Sequence, residues 1–345
     1  MRATRRAAST FGVVVLLSFI GAACAPQTWP APADSGAAAR SAAADWLRSQ
    51  FAANDLIPSA FVPGADDLAS TVAAAVSLLA DDPDDVQADE AIAALAGRVD
   101  DLVFDGTADR PGALAMLIIA AEATGRDPHA FGGHDLVSRL EATQQATGAD
   151  AGLFGSQFPT YDGIYRHGLS LAALAIAAPS SPTVATGVAW LEAQQCTDGS
   201  WMPYRADLGV ECAFDGNLFV GPDTNSTALA LIGLRASGAP VPANAGTWLA
   251  SVRGADGGWS FFGDGPSDPD STGLAMAGLR ALGTTPDQAA YDRLIAFQFD
   301  GSAPASYQGA FWYPPFSGDP VPSMLATNDA VTGLTNGVWP AAVGQ

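Results

Sequence analysis

Two interleaved patterns run along the chain. In the first, Leu47, Leu95, Leu140, Leu191, Leu249 and Ile295 recur at intervals of 48, 45, 51, 58 and 46 residues, among polar positions such as Arg139, Glu141, Gln145, Glu192 and Gln195. The second starts on a Thr, has a small residue three positions later and a large aliphatic one seven later. Its instances are Thr71-Ala74-Leu78, Gly112-Ala115-Ile119, His167-Ser170-Leu174, Thr227-Ala230-Leu234, Thr272-Ala275-Leu279 and Thr327-Ala330-Leu334. Spacings of three and seven share one helical face. Each unit therefore reads as helix, loop, helix, repeated six times over residues 45–340. The second-series segments, such as ALALIGLRASG and GLAMAGLRALG, are apolar nearly all round, which predicts burial on every side. The expected fold is all-α: an (α/α)6 toroid with six parallel inner helices inside six outer ones. An open solenoid is the competing geometry, but it would leave the inner apolar face uncovered.

The longest gaps, roughly 197–222, 253–268 and 299–324, each join an outer-helix C-terminus to the next inner-helix N-terminus. They are expected to gather at one rim, and long loops on a rigid scaffold carry function. That rim and its loops supply the candidate ligand-binding residues Tyr161, Tyr165, Arg166, His167, Asp223, Asn225, Trp259, Phe261, Trp312, Tyr313 and Asn328. Trp201, Tyr204, Phe214, Phe219, Phe262, Phe311 and Phe316 add to an aromatic mouth with a few polar groups, the makeup of a small-molecule site. Structural readings compete at each position. Asp223, Asn225, Asp268 and Asp270 stand where N-caps stand. Trp201 and Trp259 suit turn seals. His167, in a place where four repeats have Thr, is either a lumen group or a satisfied core imidazole. Asp264, Asp268 and Asp270 lack EF-hand spacing, and His129, His134 and His167 show no ligand spacing, so no metal and no cofactor are expected.

Charge narrows the partners. The 345 residues carry 36 acids against 15 basic residues, all Arg, a net charge of −21. Phosphate backbones need a basic surface, so nucleic acid is excluded. The absence of Lys removes Schiff-base, Walker-type and SxxK chemistry. Arg2, Arg5 and Arg6, the apolar run Phe11–Ile20 and Gly21-Ala22-Ala23 form the charged, apolar, small-residue order of an export signal, residues 1–23. Gly21-Ala22-Ala23-Cys24 is similar to a bacterial lipobox, which makes Cys24 a lipidation candidate and a lipid anchor the expected membrane contact. Residues 24–44, small and Pro-containing, read as a flexible linker. Cys196 and Cys212 then form an even pair in an exported chain, expected as a disulfide.

Gln195-Cys-Thr-Asp-Gly199-Ser-Trp201 resembles the Q-x-G-x-W repeat of squalene and oxidosqualene cyclases, with looser copies at Asp256-Gly257-Gly258-Trp259 and Gln308-Gly309-Ala-Phe311-Trp312. Asp268-Pro-Asp270-Ser271-Thr272-Gly273 resembles the cyclases' D-x-D-D-T-A, with Ser271 in place of the last Asp. Ala275-Met276-Ala277-Gly278-Leu279 resembles inner-helix text of transcobalamin-like proteins. All belong to the α/α-toroid superfamily of terpenoid cyclases, prenyltransferases and transcobalamin-like proteins. The resemblance implies a lumen for a small apolar or mixed ligand, corrinoid or isoprenoid-like. Three functions stand open: an exported, envelope-tethered binding protein; a class II terpene-cyclase-like enzyme with Asp270 as general acid beside Asp268; and a protein–protein interaction module. Against the enzyme stand the chain's length, about half that of a two-domain cyclase, and export away from cytoplasmic isoprenoids.

Overall fold

The computed structural model describes residues 36–156, 163–314, 318–340 and 343. Among these residues there are thirteen helices and no strands, only isolated bridges. The first pair is α1 (Ala37–Arg48), outer, and α2 (Leu68–Asp81), inner. The second is α3 (Val86–Leu95), the five-residue α4 (Val99–Val103) and inner α5 (Pro111–Ala123). Then follow α6 (Leu136–Ala142) with inner α7 (Gly163–Ala177), and α8 (Pro182–Ala193) with inner α9 (Thr224–Ala236). The last pairs are α10 (Ala243–Ser251) with inner α11 (Pro269–Ala281), and α12 (Gln288–Ile295) with inner α13 (Met324–Leu334). Each inner helix packs on its two inner neighbours, and the order α2–α5–α7–α9–α11–α13 returns to α2, so the ring is closed. The toroid expected from the periodicity is present, with α4 as an addition that the two-series pattern does not contain.

The recurring Thr explains how each long connection is held. The Thr227 hydroxyl donates to the Asp223 carbonyl (2.8 Å) and accepts from the Trp201 backbone N–H (3.0 Å). The Asp223 N–H donates in turn to the Trp201 carbonyl (3.0 Å). Thr71 with Ile57, Thr272 with Trp259 and Thr327 with Phe311 repeat the backbone-to-hydroxyl bond, each at 3.0 Å. A hydroxyl is both donor and acceptor. One small side chain thus satisfies a backbone group in the helix and another in the loop where both are buried. The bracketed aromatic is locked as well: the Trp201 and Trp259 indole N–H groups donate to the carbonyls of Leu191 and Leu249, one outer helix back.

Close approach between inner helices rests on glycine. A Cβ on Gly168 of α7 would lie 2.3 Å from the Leu229 carbonyl oxygen of α9. One on Gly273 of α11 would lie 2.2 Å from the Asp329 carbonyl oxygen of α13. No side chain fits either seam, which is why small residues recur there.

The expected linker, 24–44, is corrected at its C-terminal end. Helix α1 begins at Ala37, eight residues before residue 45. Its Ala-rich text has the strongest helix propensity, and Ala39, Ala43 and Ala44 are buried where α1 packs on α2 and α13. Arg40 fastens it, through Nε to Asp81 Oδ1 (3.0 Å) and Nη1 to the Leu334 carbonyl (2.9 Å). The signal segment and Cys24 lie outside the described residues. Among the described residues no helix is long and apolar enough to cross a membrane. The Cys196–Cys212 disulfide is formed and ties down the connection between α8 and α9.

The glycine seams give a direct stability prediction. Gly273→Ala is expected to cost about 1–3 kcal/mol through forced separation of α11 and α13. Gly301→Ala, where a Cβ meets nothing within 4 Å, is expected to stay within about 0.5 kcal/mol of the parent. Urea unfolding of the two variants checks this; equal midpoints would refute the seam.

Candidate functional site: an acid-bearing lumen

All six inner helices line one cavity of about 1040 Å³. Its wall is largely aliphatic: Val72 and Val76 from α2, Met116 from α5, Leu169 from α7, Leu229 and Ile232 from α9, and Leu274 from α11. Its polar residues include Tyr165 and Arg166 of α7 and Asn328, Asp329 and Thr332 of α13. The mouth is built from Phe104–Arg110, before α5, and from Gln145, Gly155 and Ser156, before α7.

This places the opening on the expected rim but not beneath the expected loops. No described residue of 197–222, 253–268 or 299–323 lines the cavity. Those long connections turn their aromatics onto each other or into brackets. Phe214, Phe219, Phe261 and Phe262 stack edge to face, with centroids 4.6–5.8 Å apart. The approaches to α5 and α7 leave the gap.

Of the ligand-binding candidates, Tyr165, Arg166 and Asn328 line the lumen. Asn328 is held by the Ser77 hydroxyl of the adjacent helix α2, which donates to its Oδ1 (2.8 Å). Buried Arg166 donates through Nε to the Phe154 carbonyl (3.1 Å) and through Nη2 to that of Ser156, so it ties the loop before α7. His167 is not in the lining. Its Nδ1 accepts from the Phe154 N–H (3.3 Å) and its Nε2–H donates to the Gly187 carbonyl (2.9 Å). It therefore does for α7 what Thr does elsewhere. Burial lowers its pKa to about 3 and keeps it neutral. Asp223 is an N-cap, accepting from Ser226 N at 2.7 Å, with burial raising its pKa to about 7. Asn225 beside it is half-buried and outside the lining. Trp259 is a bracket residue, Phe261 belongs to the phenylalanine stack, Trp312 packs edge-on to Phe297, and Tyr313 is 42% exposed. Tyr161, with Asp162 and Phe316, lies outside the described residues.

The D-x-D-S segment divides into two roles. Asp268 caps α11, its Oδ1 accepting from Ser271 N at 2.7 Å and its Oδ2 from the Ser271 hydroxyl at 2.9 Å. Asp270, one turn above the lumen residue Leu274, is not itself in the lining and makes no capping bond. Its Oδ1 is buried without a hydrogen-bond partner. Desolvation, and then the Asp268 charge, push its pKa up to about 7. Facing it across the Gly273 seam is Asp329, raised well above the carboxylate range by burial and by Asp270. The Tyr165 phenol is raised by Asp329 first, then by burial and Asp270. Asp329 was missed in the sequence. The signal for it was an ionisable residue inside an otherwise apolar inner segment, MLATNDAVTGL.

A buried carboxyl that holds its proton has a measurable signature. An acid whose folded pKa exceeds its unfolded value stabilises the fold below the unfolded pKa, and that contribution is lost as pH rises through the folded pKa. For Asp270 the window runs from the ordinary aspartate value of 3.8 to about 7. Asp270→Asn is expected to be more stable than the parent at pH 7, by a margin that grows between pH 4 and 7 and levels above. Denaturant midpoints across that range measure it, and a pH-independent margin would be the contrary result.

No protein-family model and no curated protein sequence matches the chain. Solved structures do. The type II terpene cyclase MstE from Scytonema, complexed with its product merosterolic acid A, matches at 15% identity and TM-score 0.57, over 87% of this chain and 96% of that one. Protein geranylgeranyltransferase-I of Candida albicans, complexed with GGPP, matches at 11% and TM-score 0.55, over 77% and 83%. This chain has the α/α-toroid fold of terpenoid cyclases and prenyltransferases. A glycosidase also matches, at 16% identity and TM-score 0.52, over 88% of this chain and 96% of that one. The same toroid thus hosts several chemistries, and the residues of the lumen must decide among them.

Proposed function

We propose that the toroid lumen binds a small, largely apolar, isoprenoid-like molecule, in a protein exported and tethered to the envelope through Cys24. The observation that carries this reading is the aliphatic cavity of about 1040 Å³ enclosed by all six inner helices. Its size is at the top of the roughly 300–1,000 Å³ range of ligand pockets.

A catalytic reading has its own support in Asp270 and Asp329. A general acid works best with a pKa near the operating pH. In this reading protonated Asp270 delivers its proton to one carbon of an alkene, and the π pair forms the new C–H bond. The neighbouring carbon becomes a cation; an internal double bond that attacks it closes a ring and passes the charge to a new carbon, and loss of a proton from beside the last cation to the emptied carboxylate quenches it. The product is an isomer of the substrate and the acid is restored. Aromatic faces in the lining, Tyr165, Phe104 and Trp339, offer cation–π support. The objection from length is weaker than the sequence suggested, because a type II cyclase of nearly the same extent exists. Ser271 in place of an Asp leaves Asp329 as the second carboxyl near the acid.

Incubation of the full chain with farnesol and with squalene, followed by gas chromatography–mass spectrometry, tests both readings. The catalytic reading expects products of unchanged mass, and a loss of about 10²–10⁴-fold in Asp270→Asn with ligand retention intact. Retention without conversion in the parent leaves binding alone. Absence of any bound lipid by native mass spectrometry refutes both.

A further inference from the structure

The lumen has two ends, and only one is the mouth. Inner-helix N-termini lie at the loop rim, so their C-termini define the opposite rim. There five inner helices each turn back into an outer helix through connections such as 82–85, 178–181 and 282–287. Helix α13 does not. It stops at Leu334, where Thr335 turns extended (φ −66°, ψ 132°) and its hydroxyl donates to the Val331 carbonyl (2.7 Å). Arg280 of α11 takes the Gly333 carbonyl (2.7 Å), and Arg40 of α1 takes that of Leu334 (2.9 Å). With its last carbonyls occupied from both rings, the chain turns inward. Five residues on, Trp339 is 5% exposed and lines the same cavity as Val76, Ile232 and Thr332, from the distal halves of their helices.

We infer that Trp339 is the floor of the lumen and sets the length of the molecule the lumen accepts. The inference rests on the lumen-binding reading and adds a residue that selects among apolar ligands. The indole is the largest side chain available for stopping the tube, and an apolar wall leading to an apolar floor measures length alone. Ligands whose polar end stays near Asp329 while the tail runs downward must end before Trp339.

Straight-chain primary alcohols of 8 to 20 carbons, competed against an apolar fluorophore bound to the full chain, provide the test. Each methylene that finds room should tighten binding about fourfold, up to a cutoff where the tail meets the indole. In Trp339→Ala the cutoff is expected to move several carbons longer, with alcohols beyond the parent's cutoff bound at least tenfold tighter and the shortest ones unchanged. Trp339→Leu, which keeps an apolar side chain, is expected to move it less, and it serves alone if the alanine variant does not unfold cooperatively. An unmoved cutoff in a folded variant overturns the floor and leaves lumen binding standing. A parent chain that binds no alcohol overturns the lumen reading and the floor with it.

Discussion

One hydrogen-bonding unit holds this architecture together: a hydroxyl at the first turn of an inner helix that serves two backbones at once. Thr71, Thr227, Thr272 and Thr327 each accept from a loop N–H, and Thr71, Thr227 and Thr327 also donate to a helix carbonyl. An unsatisfied buried backbone group costs about 1–3 kcal/mol, so each bracket removes a penalty the long connections would otherwise carry into the core. It also fixes direction. Because the bracket ties an outer-helix exit to an inner-helix entrance, every long loop lands on the same rim, and the opposite rim is left to short turns. His167 shows that the geometry matters more than the residue type, since an imidazole nitrogen fills the hydroxyl's place in α7.

With the ring closed by brackets and glycine seams, the lumen is walled mainly by apolar inner helices, and the cost of charge buried among them follows. Asp270 and Asp329 sit where desolvation disfavours the carboxylate; the Asp268 charge makes ionisation of Asp270 harder still, and Asp270 does the same to Asp329. A pair held this way keeps a proton near neutral pH, and of the two Asp329 lines the cavity, beside Tyr165, Asn328 and Thr332. The Gly273 seam is what brings the two together, so a packing device and a chemical one share the same residues. His167 and Asp270 pull the pH dependence of stability in opposite directions over nearly the same range, because burial keeps one neutral by losing its proton and the other by keeping it.

The closed double ring was readable from periodicity, because burial on all sides leaves an apolar inner helix no other pattern. The Cys196–Cys212 pair was readable from parity. The site was readable only in part. Asp268 and Asp270 are two residues apart on one helix, and no spacing rule tells a cap from an unpaired acid; that depends on which carboxyl turns back toward its own backbone. Loop length pointed to the connections before α9, α11 and α13, yet those loops spend their aromatics on brackets and on the Phe214–Phe262 stack. The mouth opens at the approaches to α5 and α7 instead, a matter of volume that neither loop length nor composition carries. Helix α1 was hidden inside a stretch of small residues that reads equally well as a tether until its Ala face finds α2 and α13.

The central claim is that a carboxyl pair that holds a proton stands at the wall of a lumen shaped for an apolar ligand. Carbon-13 NMR of the full chain labelled at aspartate Cγ measures it directly, with Asp270→Asn assigning the resonance. The account predicts a carboxyl that titrates near pH 7 and shifts when a long-chain alcohol is added. Titration of that resonance near pH 4, with no response to the alcohol, would contradict it.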